Sequence, residues 1–142
     1  MEKRILLPVA DVEHAVMAAE LAGELFPKGT LVLLHVINPA EAGFSTEATI
    51  PSFPNGWYEK QTERAESLFD SVVERVDSDG MSVERHVELG KPIRSIVDFA
   101  NDAEVDHIVM GSECRQGVSR LVLGSIAEGV IRRSSVPVTV AK

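Results

Sequence analysis

The sequence predicts a doubly wound α/β domain, a parallel β-sheet with helices on both faces. Short apolar runs such as "ILLPVA", "TLVLLHVI" and "HIVMG" lack the polar alternation of a half-exposed strand, which suits strands covered on both sides. Segments with apolar residues at helical spacing separate them, giving the order β-α-β-α-β-α-β-α-β; parallel strands need such crossovers, and these are right-handed. The chain has 142 residues, 44% of them hydrophobic, enough for one domain with a sizeable core. A single domain over residues 1–142 is expected.

The first strand is expected over Ile5–Ala10. Ala15, Ala18, Ala19, Ala22 and Leu25 then recur at helical spacing from Val12 to Phe26, and Pro27 with Gly29 supplies the stop. "TLVLLHVI" (Thr30 to Ile37) is the second strand. A loop rich in Pro, Gly, Ser and Thr follows from Asn38 to about Gly56, longer than a simple connection needs. The second helix carries Ala65, Leu68, Phe69, Val72, Val73 and Val76 on one face, with an end expected near Asp79-Gly80. "SVERHVEL" alternates Val83, Arg85, Val87 and Leu89 with polar neighbours, as for a strand with an exposed face or at an edge. Pro92 starts the third helix, with Ile93, Ile96, Val97 and Ala100 on one stripe. "HIVMG" is the fourth strand. Ile126, Ala127, Val130 and Ile131 mark the fourth helix, and "VPVTVA" closes as the fifth strand.

Composition narrows the function classes. The net charge of −8 argues against non-specific binding to nucleic acid or anionic membranes, so neither is an expected partner. Screening confines surface charge to about 8 Å at physiological salt, so local groups such as Arg115, Arg120, Arg132 and Arg133 still act on an anionic ligand. No run approaches the roughly twenty apolar residues of a membrane span, and "MEKRILLPVAD" meets acidic residues before a signal-like segment develops. A cytoplasmic location is expected. The single cysteine, Cys114, has no partner for an internal disulfide, and the four histidines show no zinc-like spacing with it, so no metal site is expected.

The stretch "MGSECRQGVSRLVLGS" (110–125) runs from the end of the fourth strand to the start of the fourth helix. A loop in that place offers unpaired backbone N–H groups and the positive end of a helix dipole, both favourable to phosphate oxygens. Ligands of doubly wound folds bind beyond the carboxyl ends of the strands, where the winding reverses. Gly111 and Gly124 allow close backbone approach, and the Ser125 hydroxyl can either bond a phosphate or cap the helix.

"DHIVMGS", the spaced glycines, "SVPVTVAK", "ILLPVA" and "LHVI" together resemble the universal stress protein family over essentially the whole chain. Its nucleotide-binding members carry Gly-x-x-Gly, nine residues, then Gly-Ser or Gly-Thr; here Gly111, Cys114, Gly124 and Ser125 stand at those places, with Cys114 replacing the second glycine. The resemblance implies a five-stranded sheet in the order 3-2-1-4-5, an adenine nucleotide alpha hydrolase-like, Rossmann-like sandwich. It further implies binding of ATP or AMP, with Mg2+ only as the nucleotide's companion. The implied nucleotide-binding positions are Pro8, Val9, Ala10, Asp11 and Val36 at the ends of strands one and two. Around the loop they are Met110, Gly111, Cys114, Arg115, Gly124, Ser125 and Ile126. The family's base-contacting aspartate falls on Ala10, and Asp11 follows one position late, where a slip at a strand end redirects a side chain. The resemblance also implies a two-fold homodimer through the last strand, with Val136, Pro137, Val138, Thr139 and Val140 at the interface; an apolar edge strand invites such pairing.

Other residues have two readings each. Cys114 beside Arg115 is a small loop residue or a redox-active thiol. His35 and His107, in strand patterns, are expected to be structural. Phe44, Phe53 and Trp57 pack against the neighbouring helix or a partner subunit, or fold over a base. Gly90-Lys91-Pro92 lacks the rest of a phosphate loop and reads as a turn. Arg132 and Arg133 answer the C-terminal dipole of the fourth helix. The expected function is a non-catalytic nucleotide-binding dimer in stress response. The alternative is a dimeric interaction module without nucleotide, for which Cys114 and Ala10 speak, and a nucleotide-hydrolysing enzyme ranks last.

Overall fold

The computed structural model of the chain describes residues 2–43, 54–76, 80–112 and 123–142. Among them the strands are β1 (Arg4–Pro8), β2 (Thr30–Ile37), β3 (Ser82–Leu89), β4 (His107–Gly111) and β5 (Val138–Ala141). The helices between them are α1 (Val12–Leu25), α2 (Trp57–Arg75), α3 (Pro92–Asp102) and α4 (Ser125–Arg133). The strands form one sheet in the order β3-β2-β1-β4-β5, every neighbouring pair parallel. The chain winds from β1 toward β3, then returns to the other side of β1, so the winding reverses between β1 and β4.

Strand alternation sorts the core into two layers. Ile5, Leu7, Leu31, Leu33 and Val109 face α1 and α2; Leu6, Val32, Leu34, Ile108 and Met110 face α3 and α4. Both faces of β1, β2 and β4 are therefore buried, which is why their sequences run apolar without alternation. Helix α1 meets the sheet with the short side chains of Ala15, Ala18, Ala19 and Ala22, whereas α2 packs with the larger Phe69 and Val72.

Several boundaries differ from expectation. β1 ends at Pro8 rather than Ala10; the Val9 N–H still donates to the Leu34 carbonyl at 2.8 Å, but Ala10 leaves the ladder and is exposed. α2 ends at Arg75, ahead of the expected Asp79-Gly80, because Val76 turns extended (φ −107°, ψ 131°) and packs into the α1–α2 layer. Asp79 lies outside the described residues. The long loop opens with a 3-10 turn at Pro39–Ala42, capped by the Asn38 side chain on the Ala40 N–H and ended by Gly43 at φ 85°, a left-handed angle that suits glycine. β5 begins at Val138, with Val136 and Pro137 leading into it.

The edge strand β3 is tied down by charge. Arg85 bonds Glu66 and Asp70 of α2 at 3.0 and 2.8 Å, and Arg4 of β1 bonds Glu84 at 2.6 Å. The Arg4 guanidinium, with help from His86, holds the Glu84 carboxyl below its ordinary range. Arg75 joins α2 to Glu13 of α1 at 2.7 Å. Exposed pairs of this kind contribute little each, and they set orientation more than stability. No helix among the described residues is long and apolar enough to cross a membrane.

Candidate functional site

The sheet splits at its carboxyl end. β1 pairs with β4 only at Ile5↔His107 and Leu6↔Ile108, although β1 continues to pair with β2 as far as Pro8↔Leu34. Backbone N–H groups of a central parallel strand alternate between its two neighbours. The Val9 N–H goes to β2, so the donor facing β4 would be that of residue 8, and proline has none. The next rung of the β1–β4 ladder is therefore missing at the point where the winding reverses, which is where doubly wound folds hold ligands.

A cleft of about 1410 Å³ opens there, larger than the several hundred Å³ usual for a small-ligand pocket. Pro8, Val9, Ala10 and Asp11 enter it from β1, Val36 from β2, and Met110 and Gly111 from β4. Gly124, Ser125 and Ile126 enter from the start of α4. Every described residue of the expected nucleotide set thus meets in one cavity; Cys114 and Arg115 lie outside the described residues, as do Arg120, Phe44 and Phe53. Trp57, the first residue of α2, is half-buried and lines the same cleft.

The helix starts that reach the cleft differ electrically. At α1, Asp11 is the N-cap: its carboxylate accepts from the His14 N–H at 2.9 Å, and both its oxygens lie 2.9 Å from His14 Nδ1. The partial positive charge of α1 is thereby answered within the protein. At α4 the N-cap is Gly124, which has no side chain to offer. Ser125 is the first helical residue rather than the cap, so the capping alternative for its hydroxyl is corrected: that hydroxyl is exposed at the cleft and makes no hydrogen bond among the described residues. The leading residues of α4, whose N–H groups lack intrahelical acceptors, line the same space.

Gly111 has a structural reason independent of any ligand. A Cβ there would stand 2.7 Å from His14 Cβ and 3.1 Å from the His14 carbonyl oxygen, so the absence of a side chain lets β4 pass against the first turn of α1. His35 donates from Nδ1 to the Val9 carbonyl at 2.7 Å, a bond that fixes its tautomer when neutral and leaves Nε2 as the free ring nitrogen. His107 Nε2 meets Thr139 Oγ1 at 2.7 Å, away from the cleft. His107 thus bonds across to β5, while His35, held by the Val9 carbonyl, also lines the cleft.

The sequence reading missed the wall opposite α4. Lys60, Arg64, Ser67 and Ser71 of α2 line the cleft, with Glu63 beside them and Glu41 from the 3-10 turn. The signal was present in their i, i+4, i+7, i+11 spacing, but a polar stripe on a helix is indistinguishable in sequence from a solvated face.

Residues 1–142 match the model of the universal stress protein family. Universal stress protein MJ0577 of Methanocaldococcus jannaschii is 31% identical over 157 residues, covering 100% of this chain and 96% of that one. The solved structure of MJ0577 superposes with a TM-score of 0.81 at 33% identity, over 100% of this chain and 96% of that one. The universal stress protein from Archaeoglobus fulgidus in complex with dAMP has a TM-score of 0.65 at 18% identity, covering 99% and 98% of the two chains. A universal stress protein in complex with cAMP has 0.64 at 16%, covering 98% and 95%. The last two likenesses establish the shared fold alone.

Proposed function

The chain belongs to the universal stress protein family, and on that premise we propose that it is a non-catalytic cytoplasmic homodimer that binds an adenine nucleotide, ATP or AMP, in stress response. The observation that carries this reading is the start of α4. A buried glycine cap, unpaired first-turn amides and the free Ser125 hydroxyl face a cleft where the β1–β4 ladder has parted. Neutral amides at a helix start bind phosphate without further help. Pro8, Val9 and Val36 supply an apolar floor for a base at the other end of that cleft. Proteins of this fold hold dAMP and cAMP, which supports the choice of ligand class. The half-buried Val136, Val138 and Val140, with Pro137 and Thr139, form the proposed homodimer edge along β5.

One observation favours the second reading, a dimeric module without nucleotide. Ala10 offers no acceptor where the family places an aspartate, and the Asp11 carboxylate is already engaged by His14. Losing a charged acceptor costs about 1.5–3 kcal/mol, or one to two decades of affinity. Mass spectrometry of ligand released from the purified protein, followed by calorimetric titration with ATP and Mg2+, separates the two. The nucleotide reading expects a dissociation constant of roughly 10 μM to 1 mM. Absence of heat at millimolar ATP leaves the second reading. Hydrolysis above about one turnover per minute that Ser125→Ala abolishes would overturn the non-catalytic assignment.

A further inference from the structure

His14 stands where the two central strands part. On one side it meets the end of β4, since a Cβ on Gly111 would lie 2.7 Å from His14 Cβ. On the other its ring is held from just beyond β1, where both carboxylate oxygens of Asp11 lie 2.9 Å from Nδ1. Both side chains are half-buried, and both residues line the cleft. His14 therefore bridges the strand whose ladder stops and the strand it no longer reaches, at the reversal of winding where doubly wound folds hold ligands.

The bond to Asp11 fixes the chemistry of the other ring nitrogen. An ionised carboxylate only accepts, so Nδ1 keeps a proton in either charge state of the ring. Nε2 has no protein partner among the described residues; it is an acceptor when the ring is neutral and a donor when the ring is protonated. An ionised phosphate oxygen accepts but does not donate, so protonation turns Nε2 from a repelling group into a binding one. The charge moves in the same direction. With the ring neutral the Asp11–His14 pair carries the single negative charge of the carboxylate, and with the ring protonated it carries none.

Histidine is the side chain whose charge ordinarily changes between about pH 5 and 8, whereas carboxylates, lysine and arginine ordinarily titrate outside that range. Of the groups around His14, Glu13 is paired with Arg75 of α2, which holds its carboxyl below the ordinary range. Lys60, Glu63 and Arg64 of α2 and Glu41 of the 3-10 turn line the cleft. β4 brings His107, bonded to Thr139 away from the cleft, and β5 brings no ionisable side chain. His35 of β2 lines the cleft with its Nδ1 on the Val9 carbonyl.

Resting on the nucleotide reading of this cleft, we propose that His14 is a ligand-binding residue, which as imidazolium donates Nε2–H to an ionised phosphate group of the nucleotide and so makes binding tighten as pH falls. Asp11 is its positioning residue.

The test is calorimetric titration of the full chain with AMP in EDTA at about pH 6 and about pH 8, for wild type and His14→Gln. Glutamine keeps a polar side chain at that position and cannot take up the proton. His107→Gln, off the cleft, is the control. The phosphate of AMP itself gains a proton at about pH 6, and His35 remains in every protein, so comparison at a single pH cancels both contributions. Wild type is expected to bind about three- to tenfold more tightly than His14→Gln at the lower pH and within about twofold at the higher, with the control following wild type at both. Binding retained at the higher pH reports that the variant is folded. A ratio that is the same at both pH values, a variant that binds more tightly at the lower one, or a control that loses the advantage equally overturns the role of His14 and leaves the nucleotide reading standing. If wild type binds no AMP at either pH, the nucleotide reading itself falls and this inference falls with it.

Discussion

Ala10 and Asp11 show how a shift of one residue changes the chemistry available at a strand end. Asp11, set by the family resemblance among the nucleotide-binding positions, is also the cap of α1: its carboxylate accepts from the His14 N–H and lies against His14 Nδ1. Gly111 carried a similar ambiguity, and contact with His14 accounts for it without a ligand. His107 yields a prediction at this scale. Burial pushes its pKa below the ordinary 6.5, and the ring stands 5.1 Å from that of Phe26. The unfolded chain therefore binds a proton near pH 6.5 that the folded chain resists, so stability falls as pH drops below about 6.5 and recovers above it. Urea midpoints measured from pH 5 to 8 should show this decline, and His107→Gln should flatten it. An unchanged slope in the variant would assign the decline to other groups.

At the level of elements, the starts of α1 and α4 look alike in sequence, each a polar residue ahead of a helical stripe, yet one is capped by a carboxylate and the other by glycine. Two substitutions separate their roles. Asp11→Ala is expected to cost about 0.5–2 kcal/mol of unfolding free energy through loss of the cap. Ser125→Ala, which removes a hydroxyl from the first helical position, is expected to stay within about 0.5 kcal/mol while weakening ATP binding. Chemical denaturation and titration of both variants check this; a large stability loss for Ser125→Ala would return the hydroxyl to a structural role. The strands and most of each helix stripe were legible because burial on two faces and helical periodicity each leave a strong pattern, whereas Leu25 and Ile131, expected on the stripes of α1 and α4, are exposed, and the strand order followed from the family resemblance. The α2 wall was not, because nothing local tells a polar stripe facing a cavity from one facing water. Helix ends were missed by a few residues where the sequence is permissive, as at Val76, which turns extended and packs against the core of the α1–α2 layer.

On the scale of the whole molecule, the sheet has two unlike edges. β3 is dressed with Glu84, Arg85, His86 and Glu88, whereas β5 presents Val138, Thr139 and Val140 with a free backbone edge. Charged edges discourage strand addition and apolar ones permit it. Val138→Lys is accordingly expected to convert a dimer to a monomer in sedimentation equilibrium. Its circular dichroism and urea midpoint should show whether the fold survives, and wild type sedimenting as a monomer would end the dimer proposal.

Pro8 has a kinetic consequence. Because an imino acid keeps β1 and β4 from zipping together beyond Leu6, the crevice exists before any guest arrives, and no interstrand bond need break to admit one. Entry should then proceed as a single bimolecular step whose rate climbs linearly with concentration, without the plateau that marks a slow opening event.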